Sequence, residues 1–335
     1  MRSWLPAAVL ALAACATEPA PVAAPRCEFS AEDRAWIEAS LGAWRFTERE
    51  ITGVAALPPF DAVFFDDVCA LVSANAFSAA DPSEIAWIAT PHAGEITLPD
   101  GEVIPAGVTA FAGAAGDRAF FVMSTPSRWR AAGVSNDALG LELMMTGVLL
   151  HEVSHVAQFD AYGEEISDIV DQSHLPDDDV NDDMIQHRFG DDAEFAASVQ
   201  RETELLFQIV DNPSETEARR LARAALELMR LRRARWFVGE TAYLAQAEDV
   251  WLTLEGSGQW TAYQWMVHPA GGGAESDAAM ASFARSSRWW SQRQGIALAF
   301  AVDRLAAFDW KRDAFGGGRM TLTQMLEAAL EHPAD

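Results

Sequence analysis

The chain has 335 residues, half of them hydrophobic, and carries a formal charge of −26 from 24 basic and 50 acidic side chains. So acidic a chain, with Lys311 as its single lysine, excludes nucleic acid as a partner through repulsion from phosphate. Its length and apolar content suffice for one large domain or for two subdomains that share a core.

Residues 1–15 (MRSWLPAAVLALAAC) open with the basic Arg2, continue through a short apolar stretch and end in small residues before Cys15, the pattern of a secretory signal. The stretch falls short of the roughly 20 apolar residues that a spanning helix needs. It resembles the signals of bacterial lipoproteins, with Leu12-Ala13-Ala14-Cys15 as the processing motif. That resemblance implies that Cys15 becomes the lipidated first residue and tethers an exported protein to a membrane of the cell envelope. Ala16 in the next position implies the outer membrane, with the protein facing the periplasm. Residues 16–26 are rich in Pro and Ala and read as a flexible tether. Two cysteines then remain, Cys27 and Cys69, and an oxidising compartment makes a disulfide between them the expectation.

Further along, residues 31–50 have the pattern of a helix. Residues 61–72, 85–89 and 120–123 read as strands, and residues 94–98 and 102–104 as a hairpin around Pro99-Asp100-Gly101. After Ser135 the pattern turns almost wholly helical. Residues 139–162 form an apolar helix with Asp137 as N-cap and Gly163 as stop. An acidic, poorly periodic connection covers residues 164–194. Helices follow over residues 194–210, over 214–264 with a break near Gly239, over 289–308, and from Thr321 with Gln324 as capping partner. The expected fold is α+β: an α/β subdomain with a small mixed sheet over residues 27–134, then a mainly helical subdomain over 135–335.

Within the helix at residues 139–162 lies His151-Glu152-Val153-Ser154-His155. Residues four apart share a helix face, so the two imidazoles can reach one metal ion, while Glu152 stands beside the open coordination position as a general base. An accidental match in a chain with 7 histidines arises about once in a hundred such chains. The elongated zinc motif with a third His fails, because Gln158 and Ala161 stand where its Gly and His belong. A distant carboxylate is the alternative, and Glu255 qualifies: it lies in the apolar run Trp251-Leu252-Thr253-Leu254-Glu255-Gly256. Glu248, Glu240, Glu202, Glu204 or a further His are the other residues from which a third ligand could come.

In HExxH followed by a distant Leu-Glu-Gly, the chain resembles zincin metallopeptidases of the gluzincin type. The resemblance covers about 130 residues, although the gap from His155 to Glu255 is longer than usual for that type. It implies Zn2+ held by His151, His155 and Glu255, Glu152 as general base, and a peptide or protein substrate. It further implies that residues 120–124 are the edge strand beside the cleft, to which an extended peptide adds. A Tyr or His would stabilise the transition state; Tyr162, Tyr243, Tyr263, His174, His187 and His268 are available, and Tyr243, twelve residues before Glu255, is the expected one. The rival expectation is a catalytically inactive envelope lipoprotein that keeps the zincin scaffold for binding or assembly.

Overall fold

A computed structural model describes residues 27–332 apart from 54–56, 58, 80 and 176–178. The signal, lipidation site and tether expected over residues 1–26 lie outside the described residues. The first element, α1 (Ala31–Thr47), starts where the Ser30 hydroxyl accepts the Asp33 amide, with Glu32 and Asp33 placed well for the helix dipole. Its buried face carries Trp36, Ile37, Leu41 and Trp44.

Seven strands follow: β1 (Asp61–Phe65), β2 (Cys69–Ser73), β3 (Ile88–Pro91), β4 (Glu95–Thr97), β5 (Val103–Pro105), β6 (Ala110–Ala115) and β7 (Arg118–Ser124). Five make one sheet in the order β3-β2-β1-β7-β6, with β1 and β7 parallel and the other neighbours antiparallel. β4 and β5 pair separately around the expected turn. The central strands are apolar on both faces because both faces are covered. Phe64, Phe121 and Met123 face a core shared with α1, while Val63, Phe65, Phe120 and Val122 face the side of the small hairpin. Cys27 and Cys69 are disulfide-bonded with α-carbons 5.0 Å apart. The bond pins the start of the described chain to β2 and, from the 42 residues separating its ends, contributes about 4 kcal/mol by chain entropy.

The rest is helical: α2 (Pro126–Ala131), α3 (Leu141–Ser173), α4 (Met184–Phe189), α5 (Ala193–Asp211), α6 (Glu215–Trp236), α7 (Leu244–Val267), α8 (Ser276–Ala279), α9 (Trp290–Leu305), α10 (Trp310–Arg312) and α11 (Leu322–Glu331). α3 is the hinge between the two regions. Met145, Leu149, Leu150 and Val153 bury one face in the core under the sheet, and the other face receives α7. Gly147 meets Met266, His151 meets Gly258 and His155 meets Glu255, so the two helices run antiparallel. On its far side α7 crosses α9 at Gly256 and Gly295, where backbone packs on backbone with no space for a β-carbon. Among the described residues no helix is long and apolar enough to cross a membrane.

Four sequence expectations need correction. The helix bearing the histidines does not stop at Gly163 but continues to Ser173, ending with His174 in the left-handed region at φ 54°. One interior Gly costs only about 1 kcal/mol, and burial of Ile169 among Phe195, Leu244 and Val250 offsets it. Nor does Asp137 cap this helix. It begins after Gly140, while the Asn136 side chain accepts the amides of Ala138 and Leu139. The strand expected over residues 85–89 starts only at Ile88, because the Ala86 amide is bound by the Asn75 side chain. Finally, residues 120–124 are not an edge: β7 is interior, and β6 forms the edge on that side of the sheet.

Candidate metal centre

Three side chains converge where α3 and α7 face each other. His151 Nε2 lies 3.3 Å from Glu255 Oε2, His155 Nε2 lies 3.2 Å from Glu255 Oε1, and the two ring nitrogens are 3.0 Å apart. Two donors about 2.1 Å from one tetrahedral zinc ion stand about 3.4 Å from each other, so these separations are close to the edges of such a coordination shell. His151 and Glu255 are buried, and Glu255 Oε2 has no hydrogen bond despite its nearness to His151. A buried anionic oxygen without a donor is costly, and a cation among the three groups removes that cost. Among the described residues, this is the one group of His, Cys, Asp or Glu ligand atoms gathered closely enough to hold a metal ion.

The chain builds this arrangement from small residues. A β-carbon at Gly258 would stand 2.8 Å from His151 Nδ1, so α7 approaches α3 only because that position is Gly. Gln158, fully buried, does the complementary work for His155. Its Oε1 lies 3.3 Å from His155 Nδ1, and its Nε2 donates to Ser257 Oγ at 2.5 Å and to the Ala314 carbonyl at 2.9 Å. An acceptor at Nδ1 fixes the proton there and frees Nε2 for a metal. In the sequence Gln158 stands out only by breaking the elongated zinc motif, and its place one turn beyond His155 is the signal of its role.

Burial alone would lower the His155 imidazole. The Glu255 carboxylate, followed by Glu152 and Gln158, outweighs it and pushes the ring up to about 9. Burial likewise opposes ionisation of Glu255, but the positive charge that His151 and His155 place beside it holds it well below the usual carboxylate range. Glu152 is the reverse case. Burial raises its carboxyl and Glu255 adds to the rise, while His151, His155 and the backbone amide of Ala112 on β6 pull the other way.

The centre opens onto a cavity of about 500 Å³, within the range of small-molecule and peptide subsites. Glu152 lines it, as do the small residues of β6 and an apolar wall that includes Phe159, Tyr162, Ile166 and Trp251.

The structure separates the other candidates. Glu202 and Glu248 are both bound to the buried Arg232 and do not approach the histidines. Glu204 holds the Gln200 side chain, and Glu240 is exposed in the turn before α7. Tyr243 is not on the cavity; it lines a separate hollow with Asp179, Met184, His187 and Arg188. Twelve helical residues span about 18 Å, so a residue at the start of α7 stands too far up the helix to share Glu255's surroundings. Tyr162 does line the cavity, but its hydroxyl donates to the Met320 carbonyl at 2.9 Å.

Compared with known proteins, the chain matches no family model, no curated protein and no solved structure. The fold and the site define an α+β protein with a candidate His-His-Glu metal centre at the floor of a cleft.

Proposed function

We propose that this protein is a zinc-dependent hydrolase of the zincin type that cleaves peptide bonds in the cell envelope, tethered there through Cys15. The supporting observation is the convergence of His151, His155 and Glu255 on one point of a cavity that Glu152 also lines. Two imidazoles and a carboxylate suit zinc. Bound there, zinc would polarise the scissile carbonyl and acidify a water molecule.

The chain's own groups do the rest. Glu152 would accept a proton at its carboxylate and pass it to the leaving amine. Its raised pKa brings donor and acceptor tasks closer to neutral pH. The unpaired side of β6 offers main-chain donors and acceptors along the cavity, so an extended peptide can add to the sheet without demands on its side chains. The Ala112 amide serves Glu152 instead, tying the base to the strand that would hold the substrate. The disulfide fits an oxidising compartment.

The test is zinc content together with turnover. Purified protein should hold about one zinc per chain and cleave a mixed peptide library until a chelator is added. Glu152→Gln should keep the zinc and lose cleavage. Bound zinc without cleavage by the wild type would leave the binding scaffold as the better reading; wild-type turnover by the Gln variant would refute the base assignment.

A further inference from the structure

The cavity holds one carboxylate that neither the metal centre nor the base accounts for. Asp182, in the segment before α4, lines the wall together with Asn181. No Lys or Arg is among the described lining residues. Among the described residues its side chain accepts one hydrogen bond, from Ser291 Oγ at 3.4 Å, and forms no salt bridge with Lys or Arg, while His155 and His151 favour its charge without a hydrogen bond. Its neighbour Asp183 is off the cavity wall; burial and Glu255 raise its carboxyl too, against the opposing pull of His187 and Arg288.

A dication bound by His151, His155 and Glu255 would offset the charges of Glu255 and Glu152, which would leave Asp182 as the remaining carboxylate on the cavity wall. The surrounding wall is apolar and aromatic, with Phe159, Tyr162, Ile166 and Trp251. Such a wall covers an aliphatic stem and the faces of its rings attract a cation, while weak dielectric screening strengthens attraction to a carboxylate. The same environment penalises an ionised carboxyl that lacks a partner. Burial, followed by Glu255 and Asp183, pushes Asp182 up to about 7.

Resting on the hydrolase reading above, we propose that Asp182 is a specificity-determining residue that receives an ammonium or guanidinium group of the peptide substrate. The group is either a Lys or Arg side chain or a free α-amine, and the cavity then selects cationic over isosteric neutral substrates.

The experiment uses the zinc-loaded full chain and peptides that carry Arg or citrulline, and Lys or norleucine, at a position stepped along the sequence. Each peptide is made with a free and with an acetylated N-terminus. In the wild type, kcat/KM should favour the cation over its neutral isostere by about tenfold or more. Asp182→Asn should bring that ratio close to one, and Asp183→Asn should leave the ratio in place. Loss of the preference on acetylation assigns the group to the α-amine; dependence on Arg or Lys alone assigns it to the side chain. A wild-type ratio near one for every pair, a ratio that survives Asp182→Asn, or an equal fall in Asp183→Asn overturns the proposal. The wild-type ratio stands without any variant, so a poorly folded Asp182→Asn does not rescue it. If no peptide is cleaved, the hydrolase reading fails on its own, and calorimetric binding of the Arg and citrulline peptides decides the subsite. A preference for Arg that Asp182→Asn abolishes supports it, and equal binding refutes it.

Discussion

Gly258 of α7 backs onto the His151 imidazole so closely that a methyl group on its α-carbon would lie 2.8 Å from Nδ1 and 3.2 Å from Cε1. Gly258→Ala gains about 1 kcal/mol of helix propensity but forces the ring or the whole of α7 to move. We expect zinc affinity to fall about 10- to 100-fold, read by competition with a chromophoric chelator. Gly163 is the control, a helical Gly where, beyond the backbone of its own turns, nothing lies within 4 Å of the position a β-carbon would take. Gly163→Ala should raise stability by about 0.5–1 kcal/mol in denaturant titrations and leave zinc affinity as it was.

Gln158 orients His155 and joins α3 to α7 and to the segment at Ala314. Gln158→Ala leaves His155 Nδ1 without its acceptor and the buried Ala314 carbonyl without its donor. Each loss of a buried partner costs about 1–3 kcal/mol, and metal affinity should drop about tenfold or more. Unchanged zinc affinity in a destabilised variant would reduce Gln158 to a packing role.

The metal-free protein should lose stability in alkali. His155 is raised from an ordinary 6.5 to about 9. Its contribution is therefore complete below pH 6.5 and disappears as the pH climbs through 9. Glu255 is shifted downward from 4.5, so its contribution is present above pH 4.5 and disappears in acid. Urea titrations of the chelator-treated protein should show a maximum between these limits and a fall on the order of 2–3 kcal/mol toward pH 9. Zinc displaces the His155 proton, so zinc binding at pH 7 should release protons, visible as a dependence of the calorimetric enthalpy on buffer.

Most helices could be read from the chain because period and caps agree. The Thr321–Gln324 capping box is present at α11, and Ser214 caps α6. The metal centre was legible for a similar reason. Spacing puts His151 and His155 on one face, and Glu255 is the one acid in the apolar run Trp251–Trp260, which has no cause to be apolar unless buried. What escaped depends on tertiary contacts. β6 is Ala-Phe-Ala-Gly-Ala-Ala, in which Phe111 alone favours strands, and it is a strand because β7 offers a partner and Gly113 leaves space for the Phe120 ring. The resemblance to zincins makes β7 the edge strand, whereas β6 occupies that place. Asp182 sat in a stretch of acidic residues without period, where no local pattern marks one carboxylate as facing a cavity.

Glu248 and Glu255 are two turns apart on α7 and both are buried, yet the structure gives them different tasks. Glu248 accepts from Arg232 at 3.1 Å and from Arg233 at 2.7 Å. Arg232, with a fully buried side chain, also holds Glu202 at 2.8 Å and so ties α5, α6 and α7 together. Breaking such a pair strands a charge in the interior, which costs about 3–5 kcal/mol. Glu248→Gln keeps one hydrogen-bond acceptor but removes the charge opposite two guanidinium groups, so it should lower the unfolding midpoint while zinc stoichiometry stays at that of the wild type. Glu255→Gln should do the opposite. It removes the anionic ligand, lowers zinc affinity, and relieves the metal-free protein of its dependence on His155 protonation. Zinc loss in Glu248→Gln at full folding, or retention in Glu255→Gln, would exchange the two roles and move the metal centre away from His151 and His155.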